Sequence, residues 1–310
     1  MNSKLRTSMI IAAAVAIIGL ILAFVGLAFG GMKAVSIGSD GIKLEGQDKG
    51  VIEIDKSFDP KTVKSIDGNF DLRDVIFKAA PAGTEINVSS KGVSKDFFIE
   101  NKDGVLTMAD SHQGSTFSDF HFYLFNFYGS GPWKDITITY PAGSEFEDIS
   151  IHSDSGSINI SDLKANDMKI SSDLGDTKLD NVSTITLDHD SNSGNFNLIN
   201  TNIKSLKFNM DLGDATATGY NGEEIAGSSN SGNVNFEGSI KGPVDISSDL
   251  GDVTFKIKGS EEQFSYDLST DLGDVTLNGQ GAGNNLTKTY EGKPLFKVEN
   301  DAGNIKVEFK

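Results

Sequence analysis

From residue 146 to the C-terminus, apolar residues come in pairs two positions apart, and the pairs recur every nineteen residues. The phase marker is a glycine inside a short polar motif. D-S-G-S, D-L-G-D, N-S-G-N, D-L-G-D, N-S-G-N and D-L-G-D carry Gly156, Gly175, Gly194, Gly213, Gly232 and Gly251, and two further copies follow at Gly273 and Gly303. Two and four residues after each glycine come Ile158/Ile160, Thr177/Leu179, Phe196/Leu198, Ala215/Ala217, Val234/Phe236, Val253/Phe255, Val275/Leu277 and Ile305/Val307. Fifteen of these sixteen positions are apolar in a chain that is 37% hydrophobic, so chance does not account for them. A second pair precedes each glycine, from Ile149/Ile151 and Met168/Ile170 through Leu187/His189 to Phe296/Val298, and fourteen of its sixteen positions are apolar. A looser third inward position falls between the pairs, at Leu163, Val182, Ile203 or Ile240. A spacing of two puts both side chains on one face of a β-strand.

One such unit cannot enclose a core, whereas stacked units can, because each strand pairs with its equivalent above and below. The pattern therefore predicts an all-β fold, a β-solenoid of stacked 19-residue rungs over residues 146–310. Eight rungs at about 4.8 Å each give a shaft of roughly 35–40 Å. Residues 50–145 alternate like strands less regularly, and Gly68 and Gly104 read as earlier turns of the same winding. P-A-G at residues 81–83 and again at 141–143 suggests equivalent turns. Within this region lies an aromatic stretch at 114–133, with Phe117, Phe120, Phe122, Tyr123, Phe125, Phe127, Tyr128 and Trp133. It reads either as the cap that an open first rung requires or as an exposed contact surface for a partner.

Residues 9–32, MIIAAAVAIIGLILAFVGLAFGGM, carry no charge and follow Lys4 and Arg6. A run of about 20 apolar residues spans a bilayer, and basic residues on its N-terminal flank hold that end in the cytoplasm. The expectation is a cytoplasmic stub and transmembrane helix over 1–32 and a tether over 33–49. The rest of the chain would then lie outside the cell membrane as a single-pass protein. Setting Lys4 and Arg6 apart from the formal charge of −17 leaves −19 on the remainder. Such a surface repels nucleic acid and attracts cations or cationic peptides.

The paired acids at the glycine turns are Asp173/Asp176, Asp211/Asp214, Asp249/Asp252 and Asp271/Asp274, alternating with Asn192/Asn195 and Asn230/Asn233. As corners they make sense, since Asp and Asn side chains bond turn amides and glycine accepts positive φ. Alternation of Asp with Asn separates like charges that stacking would otherwise bring about 5 Å apart. The competing reading is a divalent-ion site, best placed at Asp252 and Asp274, where the alternation lapses in sequence. The 310 residues include no cysteine, which excludes disulfides, thiolate metal sites, cysteine nucleophiles and lipidation through cysteine.

Catalysis has little to rest on. A polysaccharide-acting β-helix enzyme needs clustered carboxylates or a basic residue in a groove of long loops. Arg73 is the only arginine after the membrane segment, and no catalytic signature surrounds it. His112, His121, His152 and His189 lack metal-ligand spacing, and His189 falls in an inward column, as a hydrogen-bonded core residue would. No phosphate loop or G-x-S-x-G is present, so no cofactor is expected. An N-terminal membrane segment, Y-P-A-G-S-E-F at 140–146 and the S-D-S-G-S-I-N-I, S-S-D-L-G-D and S-N-S-G-N-F repeats together resemble the LiaG-like adhesin family. These are β-strand-repeat surface proteins of Gram-positive bacteria. That resemblance covers roughly residues 50–310. It implies a cell-surface binding or scaffold protein, with an adhesin or envelope-stress role and a cationic peptide, wall polymer or protein as partner.

Overall fold

The computed structural model describes residues 34–38, 41–45, 51–110, 122–124 and 134–310. The expected membrane-spanning segment, residues 9–32, lies outside them, and among the described residues no helix is long and apolar enough to cross a membrane. Two compact units are present. In the smaller, Ala34–Gly38 pairs antiparallel with Gly41–Glu45 and with Phe122–Leu124, so part of the expected tether is a β-hairpin.

The larger unit is a 24-stranded all-β winding with two walls meeting at the glycine corners. The leading wall stacks the strands before each corner. In the middle of the winding these are Glu145–Ser155, Lys164–Leu174, Ser183–Ser193 and Asn202–Leu212, all parallel and in register at nineteen-residue intervals. The trailing wall stacks Ile158–Ser161, Thr177–Asp180 and Phe196–Ile199 in the same way. Ala215–Ser231 belongs to both walls in turn, pairing on one side with Phe196–Ile199 and on the other with Asn202–Leu212. Every trailing-wall position predicted to point inward is buried, including the lone polar one, Thr177. In the leading wall only Gly227 is less than fully buried, and the Phe208 ring fills the space its side chain would need. Leu163, Val182, Ile203 and Ile240 are buried as well. Phe208, Phe236 and Phe255 stack in series, with ring centroids 5.9 and 5.4 Å apart.

His189 is buried in this column but has no hydrogen-bond partner on either ring nitrogen, contrary to the expectation of a bonded core histidine. It lies flat against Phe196 at 3.9 Å, behaving as a neutral aromatic slab. Desolvation pulls its pKa down to about 3, opposed only by Asp190.

The earliest turns are not at Gly68 and Gly104. Gly68 sits inside the strand Ser65–Phe70, opposite Ile151 and Met108, and Gly104 closes the hairpin of Phe98–Lys102 with Val105–Ala109. The first corner is instead D-L-R-D at residues 71–74, with Arg73 where later rungs have glycine. It joins Ser65–Phe70 to Val75–Ala80, which carry the next rung in parallel register. Below it, Val105–Ala109 and Ile136–Pro141 form one more layer, and the two P-A-G turns stack through Ala142 N–H to Ala80 C=O.

Sequence order fails at the far end. Leu295–Ala302 and Ile305–Phe309 do not form the last rung. They insert between Val244–Ile257 and the rung built from Ser265–Leu272 and Val275–Leu277. The inward column therefore reads Val234, Val253, Ile305, Val275. The true terminal rung is covered by antiparallel Asn285–Lys288 and Gln280–Gly281. At the opposite end Ile86–Val93 runs antiparallel over Ile136–Pro141, and Ile52–Phe58 pairs antiparallel with Ile86–Val93 in turn. Both ends of the parallel stack are thus closed by strands of reversed direction, which uses up backbone groups that an open edge would expose.

Candidate binding site: the corner edge

Among the described residues nine corners stack along one edge, in the spatial order 71–74, 154–157, 173–176, 192–195, 211–214, 230–233, 249–252, 301–304 and 271–274. The third residue of each lies against the one below. A Cβ on Gly213, whose φ is +128°, would sit 2.0 Å from the Gly194 carbonyl oxygen, so no larger residue fits without moving the rung.

The fourth residue builds a bonded ladder. Asn195 N–H donates to Asp176 Oδ1 (2.7 Å), Asp214 N–H to Asn195 Oδ1 (3.0 Å), Asn233 N–H to Asp214 Oδ1 (2.7 Å) and Asp252 N–H to Asn233 Oδ1 (3.0 Å). The lapse between Asp252 and Asp274 disappears in three dimensions. Asn304 comes between them, donating its N–H to Asp252 Oδ1 (2.7 Å) and accepting from Asp274 N–H (3.1 Å). The first-residue column is bonded more loosely, through Asn192 Nδ2 to Asp173 (3.1 Å) and Asn230 Nδ2 to Asp211 (2.9 Å). Here the register brings Asp249, Asp301 and Asp271 into consecutive rungs with no amide between them. Among the described residues no group of three or more His, Asp or Glu is placed to hold a metal ion.

The second residue of the corner escaped the reading of the sequence. It is Leu72, Leu174, Leu212, Leu250 and Leu272 at every other rung, and Ser155, Ser193, Ser231 and Ala302 at the rungs between. The leucines are 46, 57, 56, 56 and 74% exposed. They make up half of the ten large apolar side chains that stand exposed among the described residues. The signal was present in sequence as the L of D-L-G-D against the S of N-S-G-N.

On another face a shallow groove of about 400 Å³ runs across the rungs, lined by positions that recur at nineteen-residue spacing. One row is Lys164, Ser183, Asn202 and Asn221, in which Asn221 Nδ2 donates to Asn202 Oδ1 at 2.9 Å. Two of its cations are paired across rungs, Lys164 with Glu145 at 3.4 Å and Lys204 with Glu223 at 3.8 Å. Of the aromatic candidates, Phe122 and Tyr123 lie in the short strand paired with Ala34–Gly38, as backbone. Phe117, Phe120, Phe125, Phe127, Tyr128 and Trp133 lie outside the described residues, as do His112 and His121.

The profile of Toastrack DUF4097 matches residues 63–308, from the strand before the Arg73 corner to the inserted C-terminal strand. The chain belongs to the toastrack DUF4097 family. No curated protein matches this toastrack chain. Among solved structures it is similar to a candidate adhesin of Bacteroides fragilis NCTC 9343, at 16% identity and a TM-score of 0.44 over 84% of this chain and 98% of that one. A candidate adhesin of Parabacteroides distasonis ATCC 8503 matches at 13% identity and 0.46 over 85% and 98%. A candidate lipid-binding protein of the same strain matches at 10% identity and 0.42 over 83% and 96%.

Proposed function

We propose that this toastrack chain is a non-catalytic binding and scaffold module of the LiaG-like kind. In this reading residues 9–32 hold it in the cell membrane, the winding lies outside, and its ligands are cationic. The observation that carries the proposal is the corner edge, where carboxylates recur in register along the whole shaft instead of gathering at one point. The ladder carboxylates of Asp176, Asp214 and Asp252 are occupied in bonding the next rung, which suits a surface field better than proton transfer. An envelope-stress role, in which the module captures cationic peptides before they reach the bilayer, follows from that charge.

The test uses the full-length chain in neutral detergent with polylysine as probe. Binding is expected at low ionic strength and should fall steeply as salt shortens the screening length from about 30 Å at 0.01 M to about 8 Å at 0.15 M. Absence of binding at 0.01 M salt removes the reading. The cross-rung groove favours a second reading, adhesion to a wall polymer. Its amides and hydroxyls repeat along the axis as a linear polymer's groups do, and Asn202→Ala with Asn221→Ala should abolish retention on a wall-glycan column.

A further inference from the structure

The backbone of the corner does not need leucine. Ser155, Ser193, Ser231 and Ala302 occupy the same position between the same stacked neighbours, so each of these rungs is an internal control for the leucine rungs. Leucines 46–74% exposed at five corners gain little from folding. They also fall only where both flanking residues of the corner are aspartate: Asp71/Asp74, Asp173/Asp176, Asp211/Asp214, Asp249/Asp252 and Asp271/Asp274. The last of these keeps the beat only because the C-terminal strand inserts Ala302 between Leu250 and Leu272. Apolar and acidic side chains thus recur together every second rung, about 9.6 Å apart, for roughly 38 Å.

We propose that this leucine ladder is the docking site for a cationic amphipathic helix. The proposal rests on the cationic ligands of the proposed function; the ladder adds the shape and register of the ligand. Two turns of an α-helix rise about 10.8 Å, close to the leucine interval. A helix with one apolar residue every seven, flanked on both sides by lysine, therefore sets apolar groups on the leucines and ammonium groups over the two acid rows. Charge complementarity selects this occupant. A second copy would bring its own acid rows against these, and an anionic leaflet would be repelled in the same way. The run Asp249, Asp301 and Asp271, with no amide to separate the charges, makes the C-terminal end of the ladder the strongest anchor for cations.

The experiment compares two peptides of about 25 residues with the same leucine and lysine content. One is patterned with a leucine stripe every seventh residue and the other is scrambled, and each is titrated into the full-length chain in neutral detergent. The patterned peptide should bind at least tenfold tighter. The variant L174S/L212S/L250S places the serine of the intervening rungs at leucine rungs and should fold normally by circular dichroism. It should lose roughly fivefold affinity per leucine, about a hundredfold for the patterned peptide, and leave polylysine binding unchanged. Equal affinity for the two peptides, or an unaltered triple variant, overturns the docking site while polylysine binding keeps the broader reading; loss of polylysine binding by the wild type sinks that reading itself. Self-association in sedimentation equilibrium, or pelleting with neutral phosphatidylcholine vesicles, that the triple variant abolishes would assign the ladder to a copy or a bilayer and overturn the proposal.

Discussion

Arg73 holds Asp110 through two nitrogens, Nε at 2.8 Å and Nη2 on the other carboxylate oxygen, with both side chains buried. Its third nitrogen donates to the carbonyls of Gly92 and Lys134, each at 3.1 Å. Asp110 directly follows Val105–Ala109, and Lys134 shortly precedes Ile136–Pro141. The residue that takes the glycine position in the first corner therefore ties together Asp110, Gly92 and Lys134.

Breaking that tie strands a buried charge. Arg73→Met should destabilise the winding by about 3–5 kcal/mol, and Arg73→Met with Asp110→Leu by clearly less, since removing one partner of a buried pair costs more than removing both. Urea unfolding of the two variants measures the difference. A double variant that loses as much as Arg73→Met, or more, would show that the single substitution strands no costly buried charge.

Acid should weaken the fold through His189. Its folded pKa is depressed to about 3 against the ordinary 6.5, so between those values the unfolded chain binds a proton that the folded one refuses. The contribution is fully present above pH 6.5 and declines as pH falls, by up to about 1.4 kcal/mol per unit. His189→Leu should flatten that slope. Thermal melts of both proteins from pH 7 to 4 check it.

Corner glycines differ from loop glycines. Gly213→Ala puts a Cβ onto the Gly194 carbonyl and should cost about 3 kcal/mol or more, while Gly279→Ala, at φ +75° with nothing within 4 Å, should cost about 1 kcal/mol. The comparison separates inter-rung contact from backbone strain in one measurement.

Deleting residues 294–310 should not simply trim the end of the shaft. Because Leu295–Ala302 and Ile305–Phe309 lie between two other rungs, Ser265–Leu272 loses its parallel partner and the cap goes with it. Hydrogen exchange should show residues 265–288 unprotected and Glu145–Leu212 still protected. Retained protection at 265–277 would contradict the inserted order.

Much of this was legible beforehand because a parallel stack couples positions one repeat apart. Val234 and Val253 had to share a column once both followed a glycine by two residues, and the pitch of nineteen then set every central rung. The Arg73 corner was illegible for the same reason: without its glycine, D-L-R-D broke the marker while keeping the geometry, held by Asp110 thirty-seven residues away.

The amino-acid order alone determined the winding, its inward columns and its glycine corners, since these follow from strand alternation and steric limits acting within one repeat and its neighbour. Only the tertiary structure decided the order of the last two rungs. Every rung offers the same backbone edge to the next, so local pairing does not choose between them. Direct stacking of Leu250 on Leu272 and Asp252 on Asp274 would crowd apolar side chains and like charges on one edge. Interposing Ala302 separates the leucines and Asn304 separates the ladder acids, while Asp301 keeps the first-residue column acidic over three rungs; this long-range choice completes the leucine alternation on which the proposed docking site rests.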